Sequence, residues 1–200
     1  TTGESNIAIG YLALSAEDTG LRNVAIGQRA LTNQNYDGSA YNIAIGHDAG
    51  KSVTTGTANT IIGGNAGDAL TTGADNVVLG YNALSTEDTG NRNTALGRGT
   101  LQNLNYDGNG YNTAVGYEAG NDITTGTNNT LIGGLAGDSL TSGAHNVAVG
   151  YNTLATEDAH GRNIAIGTNA LTTLDAGADA YNIAIGHNAG LSVTTGTSNT

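Results

Sequence analysis

Six of the 17 carboxylates in this chain fall in three adjacent pairs. Glu17-Asp18, Glu87-Asp88 and Glu157-Asp158 stand 70 residues apart, and each pair is followed by an arginine, Arg22, Arg92 or Arg162. Two carboxylates astride a glycosidic bond are the equipment of a glycosidase. Neighbouring residues in a strand or turn point apart, however, and no His or Tyr accompanies the pairs consistently. The expectation is therefore an ion pair tying a turn to the next coil, worth about 0–1 kcal/mol if exposed. His47 and His187 share a position that holds Tyr117 in the middle of the chain, while His145 and His160 have no counterparts. Tyr does not replace imidazole as a base or zinc ligand, so no catalytic residues are assigned and no enzyme is expected.

Two further patterns carry ligand chemistry. "GGNAGDAL" (Gly63 to Leu70) and "GGLAGDSL" (Gly133 to Leu140) approach the glycine-aspartate nonapeptide that builds calcium-binding rolls, with Asp68 and Asp138 as the weak calcium candidates. The glycine of the second half, Gly67 or Gly137, is displaced by one place and the motif recurs only every 70 residues, whereas each half-site needs a neighbour to complete an oxygen cage. No metal or other cofactor is expected, and calcium is the low alternative. The inserts "NYDGSAY" (Asn35 to Tyr41) and "NYDGNGY" (Asn105 to Tyr111), with "DAGADAY" (Asp175 to Tyr181) as a degenerate copy, lengthen the chain on one side. Their Tyr36, Asp37, Tyr41, Tyr106, Asp107 and Tyr111 could stack on and hydrogen-bond a surface glycan or receptor. The competing reading is a spacer.

The elements that position these groups follow from composition and period. The chain has 32 Gly and no Phe, Trp, Met, Pro or Cys, which excludes an ordinary large-residue core and all thiol chemistry. Six basic residues against a net charge of −11 cannot form the basic stripe a nucleic acid or an anionic membrane requires. No apolar run approaches the roughly 20 residues of a membrane span.

Repeats decide the fold. Asn6, Asn23, Asn42, Asn59, Asn76, Asn93, Asn112, Asn129, Asn146, Asn163, Asn182 and Asn199 each open the same short pattern, at spacings of 17, 19, 17 and 17 residues that recur every 70. The array reads as one continuous unit over residues 1–200, in modules of about 6–75, 76–145 and an incomplete 146–200. Because both ends fall inside a repeat, the chain is expected to be a fragment of a longer fibre. The residues after each Asn ("NIAIG", "NVVLG", "NTLIG") are β-branched or apolar and closed by Gly, which predicts a short strand. A recurrent Asn predicts an amide ladder, and the Gly a corner with φ > 0. The predicted class is all-β: a repeat β-solenoid, or β-roll, with coil starts spanning about 55 Å.

The middle residue of the strand is Ala in eight of the eleven complete coils and is never polar. A strand apolar on both sides is covered on both sides. One cover is expected to be a second strand of the same coil ("YLALS", "HDAGKSV"). The other, over the alanine side, is expected to be a sister chain.

The unit N-[IVT]-A-[IVL]-G-x-x-A resembles the head repeats of trimeric autotransporter adhesins. The longer form "NTAVGYEAGNDITTGTNNTLIGG" is more similar to the repetitive shafts of bacteriophage tail fibres. The resemblance covers essentially the whole chain and implies a left-handed, trimeric β-roll in an extracellular fibre that holds a receptor-binding tip away from a virion or cell. The coils are longer than those of adhesin heads, and neither a coiled-coil stalk nor a self-cleaving chaperone domain is present. A bacterial adhesin head binding matrix or glycans is the alternative, followed by a calcium-dependent or an ice-binding solenoid.

Overall fold

The computed structural model describes residues 3–200. Eleven strands, from β1 (Ile7–Ile9) to β11 (Ile183–Ile185), form one parallel sheet in strict sequence order, and no helix occurs among the described residues. Every strand is three residues long and pairs in register with the equivalent three residues of the next coil. The chain is a β-solenoid. Places within a coil are numbered from its opening asparagine, so that position 1 is the residue directly after it.

The asparagines do form a ladder, and it is continuous. The backbone N–H of each donates to the side-chain Oδ1 of the one a coil earlier, at 2.8–3.2 Å, through all eleven links from Asn6 to Asn199. The same side chain uses its Nδ2 to close its own coil: Asn59 donates to the carbonyl of Gly73 at 2.8 Å and Asn76 to that of Gly90 at 2.9 Å. Asn23 and Asn93, which open 19-residue coils, lack this 14-residue closure. Two extra residues displace the accepting carbonyl, leaving Nδ2 of Asn23 unpaired and turning that of Asn93 to the carbonyl of Asn91.

At position 4 stands a glycine column. Gly27, Gly46 and Gly97 have φ near +135°, and a Cβ on any of them would run into the carbonyl of the equivalent glycine one coil on. Only glycine lets successive corners approach this closely.

Two expectations are corrected. First, the middle residue of the strand faces inward: Ala25, Ala44, Ile61, Val78, Ala95, Leu131 and Ala148 are fully buried. Positions 1 and 3 face outward, so it is the larger residues, not the alanines, that lack a cover. Second, the segment after the Gly corner is not a strand. Positions 6 and 8 both take φ near +50 to +60°, as at Leu12 and Leu14 or Asn82 and Leu84. These left-handed residues interrupt extended backbone, and the segment instead pairs with its neighbours through bonds such as Leu84 N–H to Thr100 O at 3.0 Å.

Core volume is balanced between coils. Position 8 runs Leu, Leu, Gly, Gly through each module (Leu14, Leu31, Gly50, Gly67), and a Cβ on Gly50 would press on Leu31 in the coil before and Ile61 in the coil after. Two coils with large residues at this place are thus followed by two with glycine, filling one narrow core, and this four-coil rhythm gives the module its identity. Replacing Asn76 with Ala removes the acceptor of the Asn93 N–H and the donor to Gly90 O in a buried place. A loss of about 2–4 kcal/mol is expected, seen as a lower midpoint in denaturant unfolding followed by circular dichroism.

Candidate interaction surface

The outward face of the sheet is the main unpartnered surface. Position 3 carries Ile9, Ile26, Ile45, Ile62, Leu79, Leu96, Val115, Ile132, Val149, Ile166 and Ile185 without interruption, and position 1 carries only Ile, Val and Thr. None of these 22 side chains is buried, and Leu79 is about half exposed at 48%. With strands about 4.8 Å apart the strip is about 48 Å long and, with side-chain breadth, on the order of 500 Å². That equals the largest apolar patch an ordinary monomer shows. No charge interrupts it, although the chain carries 17 carboxylates.

A rim of arginine and tyrosine borders one side, at the residue before six of the twelve ladder asparagines. Arg22, Arg92 and Arg162 lie 5.5–5.7 Å from the ring centres of Tyr41, Tyr111 and Tyr181 one coil later, and donate to their hydroxyls at 3.0–3.2 Å. Arg92 also meets Asp75 at 3.5 Å, and Arg162 pairs with Asp179. The expected bond from these arginines to the Glu-Asp pairs is not formed.

Those glutamates lie inside. Glu87 and Glu157 are completely buried at position 11, where the coils before and after place Leu70 and Leu104, or Leu140 and Leu174. Glu87 accepts N–H bonds from Gly90 at 2.8 Å and Asp88 at 3.1 Å on one oxygen, and from Tyr106 at 3.1 Å on the other. Glu157 does the same for His160 and Ala176. Tyr106 and Ala176 sit in the long inserts, so each glutamate supplies an acceptor to a backbone N–H of the enlarged coil. Sequence reasoning missed this role; the available signal was that Glu87 shares its place in the coil with Leu70 and Leu104. Burial pushes both carboxyls above the usual glutamate range, against the lowering effect of the N–H bonds.

The candidate ligand residues of the inserts are largely occupied within the chain. Tyr41 and Tyr111 are stacked by arginine as described. Asp37 accepts from the Thr19 hydroxyl and Asp107 from that of Thr89. Tyr106 packs partly buried against the core, whereas Tyr36 is exposed. Asp68 and Asp138 are half-buried, each with one unpaired oxygen, and desolvation raises both carboxyls. Neither falls in a three-ligand cluster among the described residues. The one cluster there is Glu157, Asp158 and His160, whose glutamate is already engaged by two N–H groups. It occurs in a single module, because Gly20 and Gly90 stand where His160 does.

No protein-family model, curated protein or solved structure matches the chain.

Because folding raises the pKa of Glu87 and Glu157, the native state favours their protonated form. Their contribution is most favourable below the ordinary value of 4.5 and is lost as pH rises through the raised native value. The thermal midpoint is expected to decrease from pH 4 to pH 7. The joint change Glu87→Gln and Glu157→Gln should flatten that slope, as scanning calorimetry across the range would show.

Proposed function

We propose that this chain is a length of extracellular fibre shaft, built from several copies mated through the outward faces of their sheets. The observation that carries the reading is the unbroken double column of Ile, Val, Leu and Thr at positions 1 and 3, uncharged along its whole length.

The occupant that fits this face is another copy of the same chain. A partner must offer apolar groups at the same strand pitch over about 48 Å, and an identical solenoid does so by construction. Stable interfaces bury about 800 Å² per partner; the strip approaches this, and the bordering rings of Tyr41, Tyr111 and Tyr181 extend it. Because each added coil lengthens the strip, the interface grows in proportion to the array. Resemblance to phage tail-fibre shafts and autotransporter heads favours three chains in a left-handed roll, with the tip carried elsewhere in the fibre. The rod is a spacer, and no catalytic step is assigned to it. The same rod on a bacterial surface is the adhesin reading.

A second reading has one observation in its favour. Thr60, Thr94, Thr113 and Thr130 stand at position 1 on a regular array of the kind that could order water as an ice-binding face. The seven aliphatic residues that share the column weigh against it.

Sedimentation equilibrium tests the proposal. An oligomer is expected, and the joint change Leu96→Glu and Val115→Glu should yield monomers of unchanged β-sheet signal, since both side chains face outward. A parent protein that sediments as a monomer contradicts the shaft, and thermal hysteresis from that monomer would select the ice-binding reading.

A further inference from the structure

A second periodicity lies just past the glycine corner. Position 5 holds an aromatic ring on every odd coil: Tyr11, His47, Tyr81, Tyr117, Tyr151 and His187. Every even coil lacks one, having Gln28, Gly64, Arg98, Gly134 and Thr168. The rings therefore recur every two coils, about 9.6 Å apart along a straight line, at half the interval of the four-coil module.

These rings are not core residues displaced outward. The four tyrosines are 50–70% exposed, and the His47 side chain is 53% exposed. The even positions make room for them. The ring of Tyr81 reaches over Gly64 and that of Tyr151 over Gly134, with ring carbons 3.5 Å from where a Cβ on either glycine would stand. Tyr117 is steadied by Arg98, whose guanidinium is 5.4 Å from the ring centre and donates to the hydroxyl at 2.9 Å. Beside the rings of Tyr81, Tyr151 and His187, position 6 supplies side-chain amides that bond from coil to coil, Asn65 to Asn82 at 3.3 Å, Asn152 to Asn169 at 3.1 Å and Asn169 to Asn188 at 3.2 Å, whereas the other coils place Leu12, Arg29, Asp48, Gly99, Glu118 and Leu135 there.

We propose that this column is a binding track for an extended, neutral, β-1,4-linked polysaccharide. An aromatic ring presents an apolar face and a polar edge, as a pyranose does, and amides alongside suit the ring hydroxyls. In a β-1,4-linked chain successive sugars turn over, so every second sugar presents the same face. One sugar spans about one strand spacing, and a ring on every second coil meets every second sugar. An α-linked chain curls and loses the register. The net charge of −11 disfavours polyanionic glycans. Weak single stackings add along the track by multivalency. The track uses different residues from the mating face and does not rest on the shaft reading.

The test is co-sedimentation with microcrystalline cellulose, with chitin and with granular starch. Retention by cellulose or chitin and not by starch is expected, the preferred β-linked matrix showing which ring substituents the amides accept. The joint change Tyr81→Ala, Tyr117→Ala and Tyr151→Ala should weaken retention roughly ten-fold or more, and each single change by about three-fold. The corresponding Tyr→Phe variant keeps its rings and should bind within about two-fold of the parent. Absence of binding to both β-linked matrices, equal binding to starch, or undiminished retention by well-folded alanine variants overturns the proposal. Sedimentation of the same samples separates the two readings: a monomer that binds contradicts only the shaft, and an oligomer that does not bind contradicts only the track.

Discussion

One bond, repeated, governs this molecule: the N–H of each coil's opening asparagine resting on the side-chain oxygen of the asparagine one coil before it. It fixes the same residue at the same height in every turn and lets the strand that follows pair in register. The amide of Asn has its acceptor and donors on separate atoms, so it can accept from the next coil and donate to its own closing carbonyl at once. Buried, it is most stable when it does both, since an unpaired polar group in that position is costly. Coil length is consequently constrained. Coils of 17 residues bring the closing carbonyl 14 residues on to the amide, and the coils of 19 give that bond up at Asn23 and Asn93.

The buried glutamates belong to the same economy of backbone groups. A two-residue insert changes which N–H groups point inward, and Glu87 reaches across to the one at Tyr106. Placing a carboxylate where other coils place leucine has a desolvation cost, which N–H bonds on both oxygens reduce but do not cancel. The module of four unequal coils is therefore a set of mutually compensating choices: Gly opposite Leu in the core, Glu before the long coil, Gly beneath Tyr on the surface.

Much of this is legible in the sequence, because a solenoid writes its period directly. The Asn-to-Gly unit locates all eleven strands, the recurring amide and the tight corner. Which way the strand faces is not legible. With three residues and no polar one among "IAI" or "VVL", the alternation has nothing to mark its wet side, and alanine reads as the side of close chain approach. The expected second strand fails for a related reason: Leu12 and Leu14 read as extended apolar residues, yet both are left-handed. The clue lies in the other coils, where Asn65, Asn82, Asn152, Gly50 and Gly67 occupy those positions, residue types that tolerate positive φ. Residues that composition places at a ligand, such as Tyr41 and Asp37, are engaged between coils. The two-coil spacing of the tyrosines at position 5 is hidden in the sequence beneath unequal coil lengths.

A parallel sheet whose solvent side is all Ile, Val, Leu and Thr is the feature that most needs an explanation, and association with copies of itself supplies one. Small-angle X-ray scattering at low concentration gives the mass per unit length of a rod directly. One chain of 19.9 kDa occupies about 50 Å of axis; the account predicts two to three times that linear mass density, and a value equal to a single chain would contradict it.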